Sequence, residues 1–167
     1  ISSYHIGFVL GPCLNASGRL DTAKKALHLL TTKDLAEAAL LANELKLLNE
    51  SRKELTDEGV EKAIRAVETE GMEEDRVLVV YLADCHESIA GIIAGRIREK
   101  YYKPVFILTK AEEGVKGSGR SIEGYSMYEE MNKVAHLFTK FGGHPLAAGL
   151  SLPEENVEIF RKEINQV

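Results

Sequence analysis

Two apolar runs on either side of a helical segment constrain the fold of this chain more than any other feature. Residues 77–83 and 104–109 are continuously apolar and rich in β-branched side chains, which is typical of buried strands. Residues 86–101, between them, carry isoleucines at helical spacing. Two strands joined through one helix lie parallel in a sheet, with a right-handed crossover. The pattern therefore predicts an α/β fold.

A long helix is predicted before this unit. Thr31 and Asp34 resemble a capping box, apolar residues follow at helical spacing, and Gly71 is a typical helix stop. A helix from about residue 33 to 69 would be roughly 55 Å long at 1.5 Å per residue, which suits a connector between two domains. The alternative is two helices that break near Gly59, since an interior glycine destabilises a helix by about 1 kcal/mol.

The remaining segments have weaker patterns. Residues 6–20 are rich in turn formers and predict an apolar strand or core segment followed by a structured loop. Residues 21–30 predict a short helix capped by Asp21. After residue 109 we expect a glycine-rich loop, a helix, a strand and a last helix, over 116–121, 126–139, 146–152 and 153–166.

The net charge of −5 argues against a nucleic-acid binder, but the charge is unevenly distributed. Residues 34–75 hold thirteen acidic and five basic side chains, whereas residues 96–120 hold seven basic and three acidic ones. The basic segment permits a local phosphate site. Cys13 and Cys85 form no ligand pair, which predicts reduced thiols in a cytoplasmic protein. The first residues lack a signal pattern and an initiator Met, so we expect a chain cut from a longer protein.

Two short motifs carry the residue types that bind phosphate. In residues 116–121 (KGSGRS), two glycines allow backbone amides to face an anion, two serines supply hydroxyls, and Arg120 supplies a planar fork of donors. In residues 141–145 (FGGHP), a glycine pair permits close approach, and His144 can donate to a phosphate or a leaving group. The alternatives are a glycine-rich hairpin with an exposed arginine, and a turn whose histidine caps a strand.

Two further segments are weaker candidates. In residues 84–87 (DCHE), at the strand-to-helix junction, the two acids have capping-box spacing, and His86 has either a capping or a functional role. Asn15 can hold a loop through its side chain, and Arg19 can reach a phosphate or pair with an acid. Clustered Asp and His ligands, a nucleophile–base set and a nucleotide-binding loop are all absent, so the sequence shows no self-sufficient active site.

Taken in order, these motifs resemble the RecJ exonucleases of the DHH phosphoesterase superfamily. The resemblance covers residues 6–165 and rests on GPCLNASGRLD, a long acidic helix, CHESIAGIIAGRI, KGSGRSIEGY and KFGGHPLAAGLSLPEEN. It implies a DHH-associated domain with a mixed β-sheet flanked by helices at 76–167, after a helical connector at 21–75 and the tail of a DHH catalytic domain at 1–20. Mn²⁺ or Mg²⁺ would bind to the rest of that catalytic domain, and this chain would hold no metal.

The resemblance also implies a function. The chain would be part of a metal-dependent 5′-to-3′ exonuclease that acts on single-stranded DNA, with other repair or replication proteins as candidate partners. Ser118 and Arg120 would grip the terminal phosphate with help from Arg19, and His144 would face the metal site across a cleft. The phosphate- and nucleic-acid-binding candidates are Arg19, Ser118, Gly119, Arg120, Ser121, Gly142 and Gly143, followed by Asn15, His86 and Lys116.

Two positions depart from the family pattern. Glu87 follows His86 where the family usually has proline, which leaves the role of His86 open, and Cys13 replaces a common basic residue. The alternative functions are an oligoribonuclease or cyclic-dinucleotide phosphodiesterase of the same superfamily, or a non-catalytic scaffold that keeps the fold but not the chemistry. The oligoribonuclease and phosphodiesterase alternatives are disfavoured, because those relatives typically carry an extra glycine before the histidine and lack the GSGRS loop.

Overall fold

The computed structural model describes residues 1–167, which form two compact units, Ile1–Leu55 and Thr56–Val167. The first unit is helical. It contains a π-helical turn (His5–Leu10), α1 (Gly11–Leu20), α2 (Ala23–Thr31) and the start of α3 (Leu35–Thr69). None of the helices in the chain combines the length and the apolar character needed to cross a lipid bilayer.

The prediction of a strand or core segment and a loop for residues 6–20 is wrong, because this segment is helical. Pro12 lies where the π-helical turn His5–Leu10 passes into α1, and such a local change of helix type is how a helical segment accommodates a proline. Gly18 stays within the helix. Residues 1–10 are all exposed, so this apolar stretch forms no core within its own unit.

The caps of the next two helices differ from the prediction by one residue for α2 and by three residues for α3. The side chain of Thr22, not that of Asp21, caps α2 by accepting a hydrogen bond from the amide of Lys24 at 3.3 Å. Asp21 instead forms an ion pair with Lys25 at 2.6 Å. The capping box expected from Thr31 and Asp34 is not formed, because Thr31 is the last residue of α2. Asp34 is itself the cap of α3, since its Oδ1 accepts a hydrogen bond from the amide of Ala36 at 2.8 Å.

The second unit is built on a five-stranded mixed sheet in the order β1-β2-β3-β5-β4. The strands are β1 (Leu78–Tyr81), β2 (Val105–Lys110), β3 (Val115–Arg120), β4 (Lys140–His144) and β5 (Ala147–Leu152). β1 and β2 run parallel and the other neighbouring pairs run antiparallel. The helices are α4 (Glu87–Tyr101), α5 (Met127–Lys133) and α6 (Val157–Ile164). The predicted α/β fold, a mixed β-sheet flanked by helices after a long helix, is confirmed.

Apolar side chains are buried on both faces of this sheet. On one face, α4 and the C-terminal part of α3 pack on β1 and β2 through Ala63, Val67, Ile89, Ile93 and Ile97. On the other face, α5 and α6 cover β2, β3 and β5 through Met127, Met131, Val157, Phe160 and Ile164. The predicted strand–helix–strand crossover is therefore the part of the fold with helices on both sides, as a buried parallel pair requires.

Residues 116–121 do not form the predicted tight loop, because most of them lie in β3, an interior strand of the sheet. Gly117 and Gly119 face the core, where a Cβ atom would lie 2.4 Å from Leu108 Cδ2 and 2.6 Å from Met127 Sδ, respectively. The two glycines thus serve close packing of a strand. Their low strand propensity made the segment look like a loop.

The C-terminal elements differ from the prediction in extent. The expected helix over 126–139 is shorter, since α5 is followed by a 3₁₀ turn (Ala135–Leu137), and β4, which was not predicted, comes next. The strand predicted at 146–152 is β5. Pro153 opens a 3₁₀ turn (Glu154–Asn156) that leads into α6.

α3 is one continuous helix from Leu35 to Thr69, so the alternative of a break at Gly59 is wrong. Gly71 follows with φ of 68°, the left-handed conformation expected of a helix stop. A Cβ atom on Gly59 would lie 2.4 Å from Cδ1 of Ile93, which is fully buried. The helix keeps this glycine because it permits the close approach of α4.

Two matched substitutions test this account of Gly59. Gly59→Ala should lower the free energy of unfolding by up to about 2 kcal/mol, because overpacking against the buried Ile93 costs about 1–3 kcal/mol and outweighs the gain of about 1 kcal/mol in helix propensity. Gly95→Ala, in α4, should raise it by up to about 1 kcal/mol, because no atom lies within 4 Å of the added carbon and alanine favours the helix. Urea unfolding of the two variants measures both changes, and equal gains in stability would contradict the packing argument.

Candidate functional site

One face of the sheet is open beside α4. α4 packs across β2 and β3, and the same face of β3, β5 and β4 beyond it borders a cavity of about 460 Å³. The cavity is lined by the first turn of α4, by Thr109 of β2 and by residues of β3, β5 and β4. A second cavity, of about 880 Å³, lies next to it and shares Glu87, Lys116, Lys140 and Ser151.

Strand pairing arranges the residues of this open face in rows. Directly opposed residues of antiparallel strands point to the same side of a sheet. The rows across β3, β5 and β4 are Lys116–Ser151–Lys140, Ser118–Gly149–Gly142 and Arg120–Ala147–His144. Successive rows are two residues apart along each strand, which corresponds to roughly 6.8 Å. The pairing thus brings the KGSGRS and FGGHP motifs together, with β5 between them.

Glycines form the floor of the middle row. No atom lies within 4 Å of the position of a Cβ on Gly142, and the nearest atom to one on Gly149 is 4.0 Å away. The two residues are exposed, so a ligand can approach the backbone closely here. Ser118, at the other end of the row, is half-buried and lines the cavity, and no hydrogen bond within the chain engages its hydroxyl.

Arg120 is held against α4 at the edge of the same face. Its guanidinium fits over Gly91, where a Cβ atom would lie 2.7 Å from Nη2, and its Nη1 donates a hydrogen bond to the carbonyl of Gly119 at 2.7 Å. These contacts hold the guanidinium in a defined orientation, although Arg120 is the last residue of β3. Sequence reasoning missed Gly91, because a glycine in a run of small helical residues gives no sign that a side chain from a distant strand occupies the space.

Ser121 does not join this face. Its side chain is buried, with 1% of its surface exposed, and its hydroxyl donates a hydrogen bond to the carbonyl of Tyr125 at 2.7 Å. It lines neither cavity. The hydroxyl is committed to the turn after β3, so the phosphate contact predicted for Ser121 has no support in its surroundings.

His144 ends β4 at a two-residue turn. Its Nδ1 accepts a hydrogen bond from the amide of Leu146 at 3.3 Å, which leaves Nε2 as the outward nitrogen of an exposed ring. The glycine before it, Gly143, is needed for the turn, because a Cβ atom would lie 2.4 Å from the carbonyl oxygen of Ala147. The histidine caps the strand and offers an Nε2–H donor in the same row as Arg120, with Ala147 of β5 between them.

Lys116 forms an ion pair with Glu87 at 2.8 Å. The hydrogen bond to this carboxylate raises the pKa of the Lys116 ammonium, which therefore stays charged across the physiological range. Glu87 is the first residue of α4, where the helix dipole favours an acid. Lys140 and Ser151 complete the row, and neither was predicted. Lys140 lies two residues from Gly142, and Ser151 lies two residues from Gly149. The alternation of side chains along a strand would therefore have identified both once the pairing of β4 with β5 was known.

The other candidates lie elsewhere. His86 is the N-cap of α4, since its Nδ1 accepts a hydrogen bond from the amide of Ser88 at 3.2 Å, and the capping box expected from Asp84 is not formed. His86 also lines the second cavity. Asn15, exposed, and Arg19, half-buried, both belong to α1 in the first unit.

The chain does not fit a metal centre. No three His, Cys, Asp or Glu side chains lie close enough together to hold a metal ion. A two-metal site for phosphodiester chemistry needs several carboxylate and imidazole ligands. We therefore derive no step of a reaction through a metal bound to this chain.

Comparison with known proteins identifies relatives. Residues 74–167 match the DHHA1 domain family. The chain is 37% identical over 164 residues to the single-stranded-DNA-specific exonuclease RecJ of Bacillus subtilis, covering 97% of this chain and 21% of that protein. It is 38% identical over 176 residues to RecJ of Escherichia coli, covering 100% of this chain and 30% of that protein.

The fold matches a solved relative. RecJ from Thermus thermophilus, crystallised in complex with Mn²⁺, superimposes with a TM-score of 0.87 at 32% identity, over 97% of this chain and 24% of that one. Its Mg²⁺ complex superimposes with a TM-score of 0.86. The chain spans less than a third of the length of each of these relatives.

Replacing Ser118 and replacing Ser121 should have different effects on the free energy of unfolding. Ser121→Ala should lower the free energy of unfolding by about 1–3 kcal/mol, because it removes a buried hydrogen bond and leaves the carbonyl of Tyr125 without its donor. Ser118→Ala should change it by less than about 0.5 kcal/mol, as is usual for a residue with no such bond. Thermal unfolding followed by circular dichroism measures both, and a reversed order would contradict these placements.

Proposed function

Since the chain belongs to the DHHA1 domain family, we propose that it forms one nucleic-acid-binding wall of a single-stranded-DNA exonuclease. In this proposal the whole protein degrades the strand from its 5′ end with Mn²⁺ or Mg²⁺, and the metal ions bind outside this chain. The two free thiols, Cys13 and Cys85, agree with a cytoplasmic location.

The observation that carries the proposal is the alignment of two separate motifs on one open sheet face. Ser118 and Arg120 of β3 lie in the same rows as Gly142 and His144 of β4. A hydroxyl, a guanidinium and an imidazole that border one exposed stretch of glycine backbone are the donor types that bind phosphate oxygens. The glycine floor lets the sugar–phosphate backbone come close enough to reach them.

The residues take different roles in this proposal. Arg120 binds the terminal 5′ phosphate in two places, directed by its fit over Gly91, and Ser118 donates a hydrogen bond to the same phosphate. His144 donates from Nε2 to a phosphate oxygen at the end of the face. Ser121 acts as a positioning residue that holds the turn after β3, together with Gly119, whose missing side chain lets β3 pack on the core.

The proposal also divides the whole chain into three segments. Residues 1–20 form the tail of a catalytic domain, residues 21–75 the connector and residues 76–167 the binding domain. In the proposal, Arg19 and Asn15, both in α1, also contact the nucleic acid. Other repair or replication proteins are candidate partners of the whole assembly.

Arg120→Ala in the full-length protein tests the terminal-phosphate contact. It should weaken binding of a 5′-phosphorylated single strand by about 1–3 kcal/mol, the value of hydrogen bonds to a charged group, and should change binding of the 5′-hydroxyl strand much less. Fluorescence anisotropy in the presence of EDTA measures affinity without hydrolysis.

Arg96→Ala is the matched control for this variant. Arg96 is an exposed arginine of α4 within the same basic segment. Its loss should weaken binding of the 5′-phosphorylated and the 5′-hydroxyl DNA strand equally. Equal affinity of Arg120→Ala and the unchanged protein for the phosphorylated strand would remove Arg120 from the site.

The chain of 167 residues on its own should show no nuclease activity, because it offers no metal centre. Gel analysis of labelled single-stranded DNA incubated with the purified chain and Mn²⁺ measures this. Steady digestion that persists after His144→Ala would refute the proposed division of labour between this chain and the rest of the protein.

A further inference from the structure

The open face extends well beyond the phosphate contacts of the proposed function. The cavity of about 460 Å³ covers the middle row and reaches the row Lys116–Ser151–Lys140, at the end of the face away from His144. An exonuclease that starts at the 5′ end has to bring the first internucleotide phosphate to its metal ions, which the resemblance places opposite His144. Both phosphates of the terminal nucleotide therefore stay near Arg120 and His144, and the rest of the cavity needs another occupant.

The charges around this far row suit a neutral ligand better than an anion. The second cavity shares the row and is lined by three basic and four acidic side chains, Lys110, Lys116, Lys140, Asp84, Glu87, Glu112 and Glu113. A phosphate would face carboxylates that repel it. An uncharged ring that carries both hydrogen-bond donors and acceptors would find partners of both kinds. The lining therefore favours a polar heterocycle.

Polar groups of the far row are available to such a ring. No hydrogen bond or ion pair within the chain engages the Lys140 ammonium or the Ser151 hydroxyl. The Glu87 carboxylate lies 2.8 Å from the Lys116 ammonium, and both side chains are about half exposed, so a ligand can reach the pair. The row thus offers donors, and Glu87 offers an acceptor, to the edge of a ring.

Gly149 and Gly142 leave room for the flat part of the ring. They lie in the row between the phosphate donors and the far row, and no atom comes closer than 4.0 Å to the position of a Cβ on either. Successive rows are roughly 6.8 Å apart, so a base above the glycines has its sugar near the phosphates and its far edge near Lys140. The cavity volume falls within the range of about 300–1,000 Å³ that is typical of small-molecule sites.

We propose that this cavity seats the nucleobase of the 5′-terminal nucleotide. The face of the base lies on the backbone of Gly149 and Gly142, and its edge contacts Ser151, Lys140 and Glu87. The two phosphates of this nucleotide stay at the opposite end of the face, so the base points away from the metal ions. The inference rests on the proposed function, since it requires a single strand whose 5′ end lies on this face.

Filling the cavity tests the base seat. Ser151→Leu places a larger side chain in it, and in the full-length protein with EDTA it should weaken binding of a 5′-phosphorylated thymidine decamer roughly 3- to 10-fold, the scale of a lost hydrogen bond. The unchanged protein should bind the same strand with a 5′-phosphorylated abasic first residue more weakly by a similar factor. Ser151→Leu should not weaken binding of the abasic strand further. Fluorescence anisotropy measures the four affinities.

Two variants serve as controls for Ser151→Leu. Ser151→Ala keeps the space and should cost less affinity for the decamer, whereas Gln166→Leu adds a leucine at an exposed position outside both cavities and should change neither affinity. If Ser151→Leu weakens both strands equally, or neither, while Arg120→Ala still weakens binding of the 5′-phosphorylated strand, the base seat is refuted and the proposed function stands. If Arg120→Ala has no effect on that strand, the proposed function fails and the base seat fails with it.

A shape analogue of thymine tests the polar contacts at the edge of the base. Difluorotoluene in the first position keeps the shape of thymine but loses its hydrogen-bonding groups, so the unchanged protein should bind that decamer roughly 3- to 10-fold more weakly. Lys140→Ala should reduce this difference. Lys162→Ala, which removes an exposed lysine of α6, is the matched control and should leave it unchanged. Equal binding of both decamers by the unchanged protein, or the same difference in Lys140→Ala, would refute the contact between Lys140 and the base.

Discussion

The two-residue alternation of β3 is the constraint on which the rest of the second unit depends. On one side, Gly117 and Gly119 leave room for Leu108 and Met127, so the strand can lie in the middle of a packed sheet. On the other side, Lys116, Ser118 and Arg120 project onto the open face. One run of six residues thus satisfies the core and carries the chemistry, because successive side chains of a strand point to opposite faces.

β5 lies between the donors of β3 and those of β4 and determines the shape of the open face. It contributes Ala148, Leu150 and Leu152 to the core and leaves only Gly149 and small residues on the open face. The donors of β3 and β4 are therefore separated by a low strip instead of a ridge of side chains. A nucleic-acid strand is long and continuous, so an unobstructed strip between two lines of donors suits it better than a closed pocket.

Local patterns predicted the elements whose partners are close in sequence. The crossover of β1, α4 and β2 and the continuous α3 follow from periodicity and caps, both of which depend on contacts within a few residues. The site does not follow in the same way. Its rows depend on the pairing of β3 with β5, and the space for Arg120 depends on Gly91, twenty-nine residues away in sequence. Residues 6–20 were mispredicted because their breakers lie where a helix tolerates them, as Pro12 does where the π-helical turn passes into α1.

Overall negative charge is compatible with this site because the interaction is local. Exposed charges act over about 10 Å at moderate ionic strength, so the field at the open face depends on the charges nearby and not on the net charge of the chain. In the proposed function, directed donors such as Ser118 and Arg120 replace general electrostatic attraction as the source of binding.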